Sequence, residues 1–374
     1  MKEERTFVAI SALIGTIIGA GFLGIPFVVM QSGFKIGLIH LVFIASIVAL
    51  ITLYLGEIAL RTKTNHHLPG YAEKYLGKAG KNLMFFAVAF GVYSALLAYL
   101  IAEGESLSYI LLGNTDYSLY MSLLFWIVLS LFSYFGIKSL KKGEPIGMTL
   151  VFILFFSICV YLANKVDTAN LLYINLNNLF LPFGVILFAF LGFTAIPEIK
   201  MLLGEDKKPL KKVIILSYLI ALLIYIYFTF FVLGYAGEGT PQLATIALGK
   251  PFVLLSTITI FTAYLSLTTS MTDILKLDFG KTKARAWLWA ISVPIISLFI
   301  FNLLHKSEFI KVLGIGGAIS GGLTAILIIL MSKNAKLYGE RKPEYSMPHF
   351  KILNWILILI FLFGALMEIK HFLV

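Results

Sequence analysis

Two stretches of this chain put glycine and proline where an unbroken helix is expected. Gly15-Thr-Ile-Ile-Gly-Ala-Gly-Phe-Leu-Gly-Ile-Pro26 lies inside an apolar run from Phe7 to Met30, and its second half is echoed 171 residues downstream by Gly192-Phe-Thr-Ala-Ile-Pro197. Both residue types are costly in a helix interior. A helix that unwinds in an apolar medium exposes N–H and C=O groups that must find partners, and a bound solute or ion can supply them. The chemistry on offer is therefore recognition by main chain. Gly15-x-x-x-Gly19 alone reads as ordinary helix packing; its recurrence in a second half points to a carrier site at a repeat interface.

A second set of groups lies early in the chain's last third. Thr262, Ser266, Thr269 and Asp273, at spacings of 4, 3 and 4, form one polar stripe on an apolar helix, with Thr268 and Thr272 beside it. Such a stripe is expected to face the protein interior, although threonine hydroxyls also bond back to their own helix. Four acids in apolar segments are the candidates for proton coupling: Glu57, Glu103, Glu198 and Asp273. Glu57 and Glu198, close in sequence to Arg61 and Lys200, are expected in structural ion pairs. Glu103 shares a helix face with Tyr99 and is the foremost of them for proton coupling.

The elements that must position these groups are membrane spans. The 374 residues are 59% hydrophobic and 13% charged, with a mean hydropathy of +0.94, which makes an all-α polytopic membrane protein. Eleven segments of spanning length can be marked, at 7–30, 33–60, 82–111, 119–137, 145–163, 178–201, 210–236, 249–275, 285–303, 308–332 and 350–373. The net charge of +11 is an orientation signal and not a nucleic-acid footprint: with the N-terminus cytoplasmic, 24 of the 30 Lys and Arg fall in cytoplasmic segments, which leaves the C-terminus extracytoplasmic. The first segment has no small-residue cleavage site and is expected to be retained. Shifting the first five spans (7–163) by 171 residues lands them on spans six to ten (178–332). Because five is odd, the second copy enters from the opposite side, an inverted repeat with one extra span at 350–373. The whole chain is one transmembrane domain, and segment 61–81 is expected to form an interfacial helix. The single cysteine, Cys159, excludes an intramolecular disulfide and a thiolate cluster.

On its first span (Gly15 to Pro26), its sixth (Phe188-Ala-Phe-Leu-Gly192, then Ile196-Pro-Glu198) and its eighth (Leu267-Thr-Thr-Ser270), the chain resembles the amino acid/auxin permease group. The nearest branch is that of the hydroxy and aromatic amino acid permeases, in the amino acid–polyamine–organocation superfamily with the leucine-transporter fold. The resemblance covers spans one to ten and weakens after Ser270, on the approach to Asp278-Phe279. It implies helix breaks near Ile18 to Gly21 and Phe188 to Gly192. Both are about 14 residues, or ~21 Å, from their entry ends, so one ligand can touch both. The N–H groups of Ala20 and Gly21 then suit a carboxylate, and the carbonyls of Ile17, Phe188 and Leu191 suit an α-ammonium. Phe188 is the candidate aromatic gate. Ala189, Phe190, Phe22, Tyr93 and Ala95 are candidate walls, whose apolar character points to a neutral or aromatic substrate, with Tyr93 also a candidate for the carboxylate. The resemblance further implies a sodium site on the carbonyls of Gly15, Ile18 and Leu265 and the hydroxyls of Thr268 and Thr269, five neutral oxygens suited to a hard cation.

The expectation is secondary import of an amino acid by alternating access, with sodium favoured over a proton as coupling ion and no cofactor; membrane lipid is the other partner. An amino acid receptor on the same fold is the alternative, against which stands the lack of a large soluble signalling tail. An enzyme would need clustered His, Asp, Ser or metal ligands at matched depth, and an ATP-driven pump a phosphate-binding loop; neither pattern is present.

Overall fold

Glycine and proline punctuate the helices where spacing predicts. The computed structural model describes residues 2–135, 140–277, 279–304 and 308–373; the expected end of the fourth span at Ile137, the start of the 138–144 loop, and Asp278 and His305 lie outside these. In chain order the helices are α1 (Lys2–Ile17), α2 (Ile25–Ser32), α3 (Phe34–Arg61), α4 (Leu68–Leu112), α5 (Ser118–Phe135), α6 (Leu140–Leu162), α7 (Pro182–Ala189), α8 (Ile196–Leu202), α9 (Leu210–Ala236), α10 (Lys250–Leu277), α11 (Lys283–Leu303), α12 (Phe309–Gly316), α13 (Gly322–Tyr338) and α14 (Lys351–Leu373), with no strand among the described residues. Among the described residues, eight helical segments are long and apolar enough to cross a membrane. The pair α1 and α2, bent by 46° at its break, makes a ninth, and the shorter apolar helices Ser118–Tyr134 and Phe152–Leu162 stand where the fourth and fifth spans are expected. The chain is a multi-pass membrane protein.

Large apolar side chains such as Phe7, Ile39, Phe156 and Leu366 are exposed, while the fully buried set includes Tyr225, Phe22 and Phe190. That is the pattern of a bundle whose outside meets lipid. The most buried segments are 68–112 and 309–338, which therefore form the middle of the bundle. Packing pairs recur five spans on: α1 packs on α9 as α3 packs on α7 and α8, α4 on α11 as α10 on α5, and α4 on α12 and α13 as α10 on α6.

Within segment 61–81 a short helix begins at Leu68 and meets the rest of α4 at Gly77, whose φ of 74° is a left-handed conformation suited to glycine. Leu68, Tyr71, Ala72 and Tyr75 on it are buried, and Asn334 donates to the Tyr75 carbonyl at 2.8 Å. It is docked onto the bundle by one face.

Glu57 holds the 339–350 linker. Its carboxylate pairs with Arg61 at 2.8 Å, as expected, and also accepts from the Met347 N–H at 2.7 Å and the Ser346 hydroxyl at 2.9 Å. Nearby, Tyr345 donates to the Leu53 carbonyl at 2.8 Å; burial, then the charge of Glu57, pushes this phenol above its ordinary range. At the other end of the linker, hydrogen bonds from Lys74 and the Lys63 N–H hold Glu340 below the usual carboxylate range. Glu57→Ala leaves the part-buried Met347 N–H without its acceptor and breaks the pairs with Arg61 and with Lys336 (3.5 Å); it is expected to cost about 2 kcal/mol, since water reaches both cations. Thermal melting of the detergent-solubilised protein measures it. Lys200 corrects the other expected ion pair: it is buried and donates to the Thr62 carbonyl at 2.9 Å, while Glu198 is exposed. The end of α3 offers that carbonyl inside the fold, so the ammonium turns inward.

Candidate functional site: a cavity at two helix breaks

Helix α1 ends at Ile17 and a 3-10 turn over Ala20–Gly24 leads into α2; helix α7 ends at Ala189 and a 3-10 turn over Phe193–Ala195 leads into α8. At the first break the Gly19 N–H bonds to the Ile17 carbonyl at 2.9 Å, and at the second the Leu191 N–H bonds to Phe188 at 3.1 Å. The two breaks touch. A Cβ on Gly21 would stand 3.0 Å from the Ala189 Cα, and one on Gly192 would stand 2.9 Å from the Ile17 side chain. Only glycine lets the backbones come this close.

A cavity of about 110 Å³ opens at this crossing, room for about four waters at their liquid volume of ~30 Å³ each. The first span contributes Thr16, Ile17, Gly19 and Gly21, and the sixth contributes Phe188, Ala189, Leu191, Phe193 and Thr194. From the third come Val88, Gly91, Val92, Ala95 and Tyr99, with Leu267 from α10 and Ser320, Gly321 and Thr324 from the tenth span. None of these described lining residues is Asp, Glu, Lys, Arg or His. Hydroxyls and main chain are the polar groups available, set in apolar walls.

Of the substrate candidates, Ile17, Gly21, Phe188, Ala189, Leu191 and Ala95 line the cavity. Ala20 is buried beside it, and its N–H is donated to the Tyr99 hydroxyl at 3.4 Å instead of standing free. Three others are not brought there. Phe22 is wedged between Phe155 and Phe228, each 5.2 Å away between ring centroids. Phe190 packs on Tyr218 and Tyr225, and Tyr93 donates to the Trp289 carbonyl at 3.3 Å. Each lies off the face on which its helix turns toward the opening.

The chain matches the tryptophan/tyrosine permease family over residues 2–249. It belongs to that family. Relatives of this permease include the tyrosine-specific transport system 1 of Haemophilus influenzae, 24% identical over 382 residues with 94% of this chain and 92% of that protein covered. Glutamine transporter 2 of Aliivibrio fischeri is 24% identical over 389 residues, with 96% and 98% covered. The family is one of amino acid carriers and not of enzymes.

In this permease the five oxygens expected to hold sodium are not gathered into a closed cage. Ile18, Leu265 and Thr268 are buried, but Gly15 and Thr269 are exposed. Helix α1 packs on α9, α6 and α8, whereas α10 packs on α4, α11 and α6 and meets the first span at the 3-10 turn Ala20–Gly24. The Thr268 hydroxyl is buried without a hydrogen-bond partner. Thr269 donates back to the Leu265 carbonyl at 2.8 Å. The expected inward-facing stripe is corrected too: Ser266, Thr269 and Asp273 are exposed. Thr262, Thr269 and Thr272 bond to carbonyls of their own helix, so their hydroxyls need no interior partner. Glu103 is fully buried, with neither carboxylate oxygen hydrogen-bonded, and Thr257 of α10 lies beside it outside hydrogen-bond geometry.

Sequence reasoning missed the groups that serve the exposed main chain. Tyr225 on α9 donates to both Ile17 (3.0 Å) and Ala189 (2.8 Å), one carbonyl from each break. Tyr218, seven residues earlier on the same face, donates to the Phe190 carbonyl at 3.2 Å and meets the Thr52 hydroxyl at 2.8 Å. The i, i+7 spacing of two tyrosines on an apolar helix was the available signal.

Proposed function

We propose that this permease imports a neutral or aromatic amino acid by cation-coupled symport and alternating access, with sodium as the coupling ion. The observation that carries the reading is the contact of two helix breaks at a cavity whose polar lining is hydroxyls and main chain. A zwitterion fits that lining: its carboxylate lies toward Gly21 at the start of the second half-helix, and its ammonium takes the Ile17 carbonyl from Tyr225, which keeps Ala189. The side chain lies against Val88, Val92, Ala95 and Phe188. Tyrosine and glutamine, named for the two relatives, are the first substrates to test.

Eleven spans, N-terminus cytoplasmic and C-terminus outside, in a five-plus-five inverted repeat with one added helix, are the architecture this reading requires. The packing pairs that recur five spans on support it, as does the pairing of α1 and α2 with α7 and α8. The exposure of Gly15 and Thr269 fits an inward-open state, in which the cytoplasmic half of the first span leans away from α10. In this reading the buried Thr268 hydroxyl would join Gly15, Ile18, Leu265 and Thr269 in holding the cation.

Uptake of labelled tyrosine and glutamine into proteoliposomes, with sodium and pH gradients imposed separately, tests the reading. Inward sodium should drive accumulation, and Thr268→Ala with Thr269→Ala should remove the sodium dependence. One observation favours a second reading, in which Glu103, buried beside Thr257 with no ion-pair partner among the described residues, carries a coupled proton. Uptake driven by protons alone and lost in Glu103→Gln would establish that alternative. Tight binding without accumulation under either gradient would favour a receptor.

A further inference from the structure

We propose that Glu368, on the added helix α14, is a positioning residue for the substrate cavity, acting through the outer half of the broken sixth span. Helix α14 is mostly exposed, with Leu366 67% and Ile369 37% accessible, yet Glu368 is buried at 6%. A carboxylate is costly there unless it meets donors. It meets one at the first turn of α7, where the Gly184 N–H donates to Oε1 at 2.9 Å. That turn lacks a side-chain cap of its own, since Leu181 stands at the N-cap. The acid of a different span thus satisfies an orphan donor and sits at the positive end of the half-helix.

The neighbourhood is shaped for this contact. A Cβ on Gly184 would meet the Glu368 Cδ at 2.6 Å and the Gly314 carbonyl at 2.5 Å. A Cβ on Gly314, in α12, would stand 2.7 Å from Oε2, and its three nearest atoms all belong to Glu368. One turn back on α14, Gly364 makes room for the Phe183 ring. The added span therefore presents one face, Gly364 and Glu368, to the first turn of α7, and its carboxylate fills a window between α7 and α12. About 6–8 Å along from Gly184, the far end of α7 delivers Phe188 and Ala189 to the cavity. A short helix held at its N-terminus places those groups; released, it lets them drift.

The test uses the full chain in lipid nanodiscs and proteoliposomes, with Glu368→Ala, Glu368→Gln, Gly314→Ala and the double variant Gly314→Ala with Glu368→Ala. Gln keeps an acceptor for the Gly184 N–H, and Gly314→Ala displaces the carboxylate without removing it. The exchange arm is independent of the transport reading: amide hydrogen exchange over residues 182–192 should rise about five- to tenfold in Glu368→Ala, as for a lost helix cap. It should rise similarly in Gly314→Ala and in the double variant, and stay near wild type in Glu368→Gln. In the uptake arm, which rests on the proposed function, KM should rise in the same variants with maximal rate largely kept. Unchanged exchange in Glu368→Ala, additive effects in the double variant, or faster exchange with KM unmoved in a wild type that transports would each overturn the proposal. If the wild type takes up neither tyrosine nor glutamine, the transport reading fails and exchange alone decides the role of Glu368.

Discussion

Gly21→Ala is expected to reduce amino acid uptake at least tenfold while leaving a folded protein in the membrane. The added methyl would stand 3.0 Å from the Ala189 Cα, 3.1 Å from the Phe188 ring and 3.3 Å from the Ala189 Cβ. Backbone on one side and a cavity-lining ring on the other leave little room to give, and overpacking of this kind costs about 1–3 kcal/mol. Every 1.4 kcal/mol is a factor of ten in affinity. The strain falls where the two breaks touch, so the cavity bears it before the outer bundle does. Uptake and equilibrium binding of tyrosine and glutamine, with thermal melting as the control for folding, measure it. Wild-type uptake in Gly21→Ala would mean that the breaks need not touch for transport. Gly15→Ala is the matched comparison: a Cβ there has no heavy atom within 4 Å, so its effect should be small in this state and appear only when the first span closes toward α10.

The breaks were legible in the sequence because local chemistry decides them. Glycine followed within a few residues by proline disfavours a continuous helix locally, and helix α1 ends at Ile17 and α7 at Ala189, where Gly19 and Gly192 interrupt the apolar runs. The partners of the freed groups were not legible, because they come from helices far away in the chain. Tyr99 lies 79 residues from Ala20, and Tyr225 lies 208 from Ile17. Nothing local marks a tyrosine that will meet a carbonyl, beyond the seven-residue interval between Tyr218 and Tyr225.

Side-chain direction was harder still. Phe22 and Phe190 stand next to cavity residues in sequence, yet one residue along an irregular turn rotates the side chain to another face, and both rings found aromatic partners away from the cavity. The stripe on α10 failed for a different reason. Periodicity correctly groups Ser266, Thr269 and Asp273 on one face, but periodicity does not say which way that face looks. Threonines that bond to their own helix can face outward at little cost. Glu368 escaped notice because its span lies outside the repeat, although an acid in an apolar helix is a signal in any span.

Tyr225→Phe should lower uptake at least tenfold and reduce the melting temperature of the ligand-free protein. Phenylalanine fills the same space and keeps the 5.0 Å edge contact with Phe190, so packing is a constant and the change is one hydroxyl. That hydroxyl has a single proton to give, shared between carbonyls 3.0 Å and 2.8 Å away on the two breaks. Without it, the Ala189 carbonyl loses its buried donor and Ile17 retains only the Gly19 N–H. An unsatisfied buried acceptor costs about 1–3 kcal/mol. The bound state should suffer less than the empty one, because a substrate ammonium at Ile17 replaces what the phenol supplied. The variant should therefore show a larger ligand-induced rise in melting temperature than wild type, even as transport slows. Slower transport follows because the hydrogen-bonded link from Tyr225 between the first span and the sixth is lost once the substrate leaves, so the empty carrier returns through a junction held by packing alone. Equal ligand-induced shifts in the two proteins would show that the ammonium does not take over the Tyr225 contact, and would move its site along the sixth span toward Leu191.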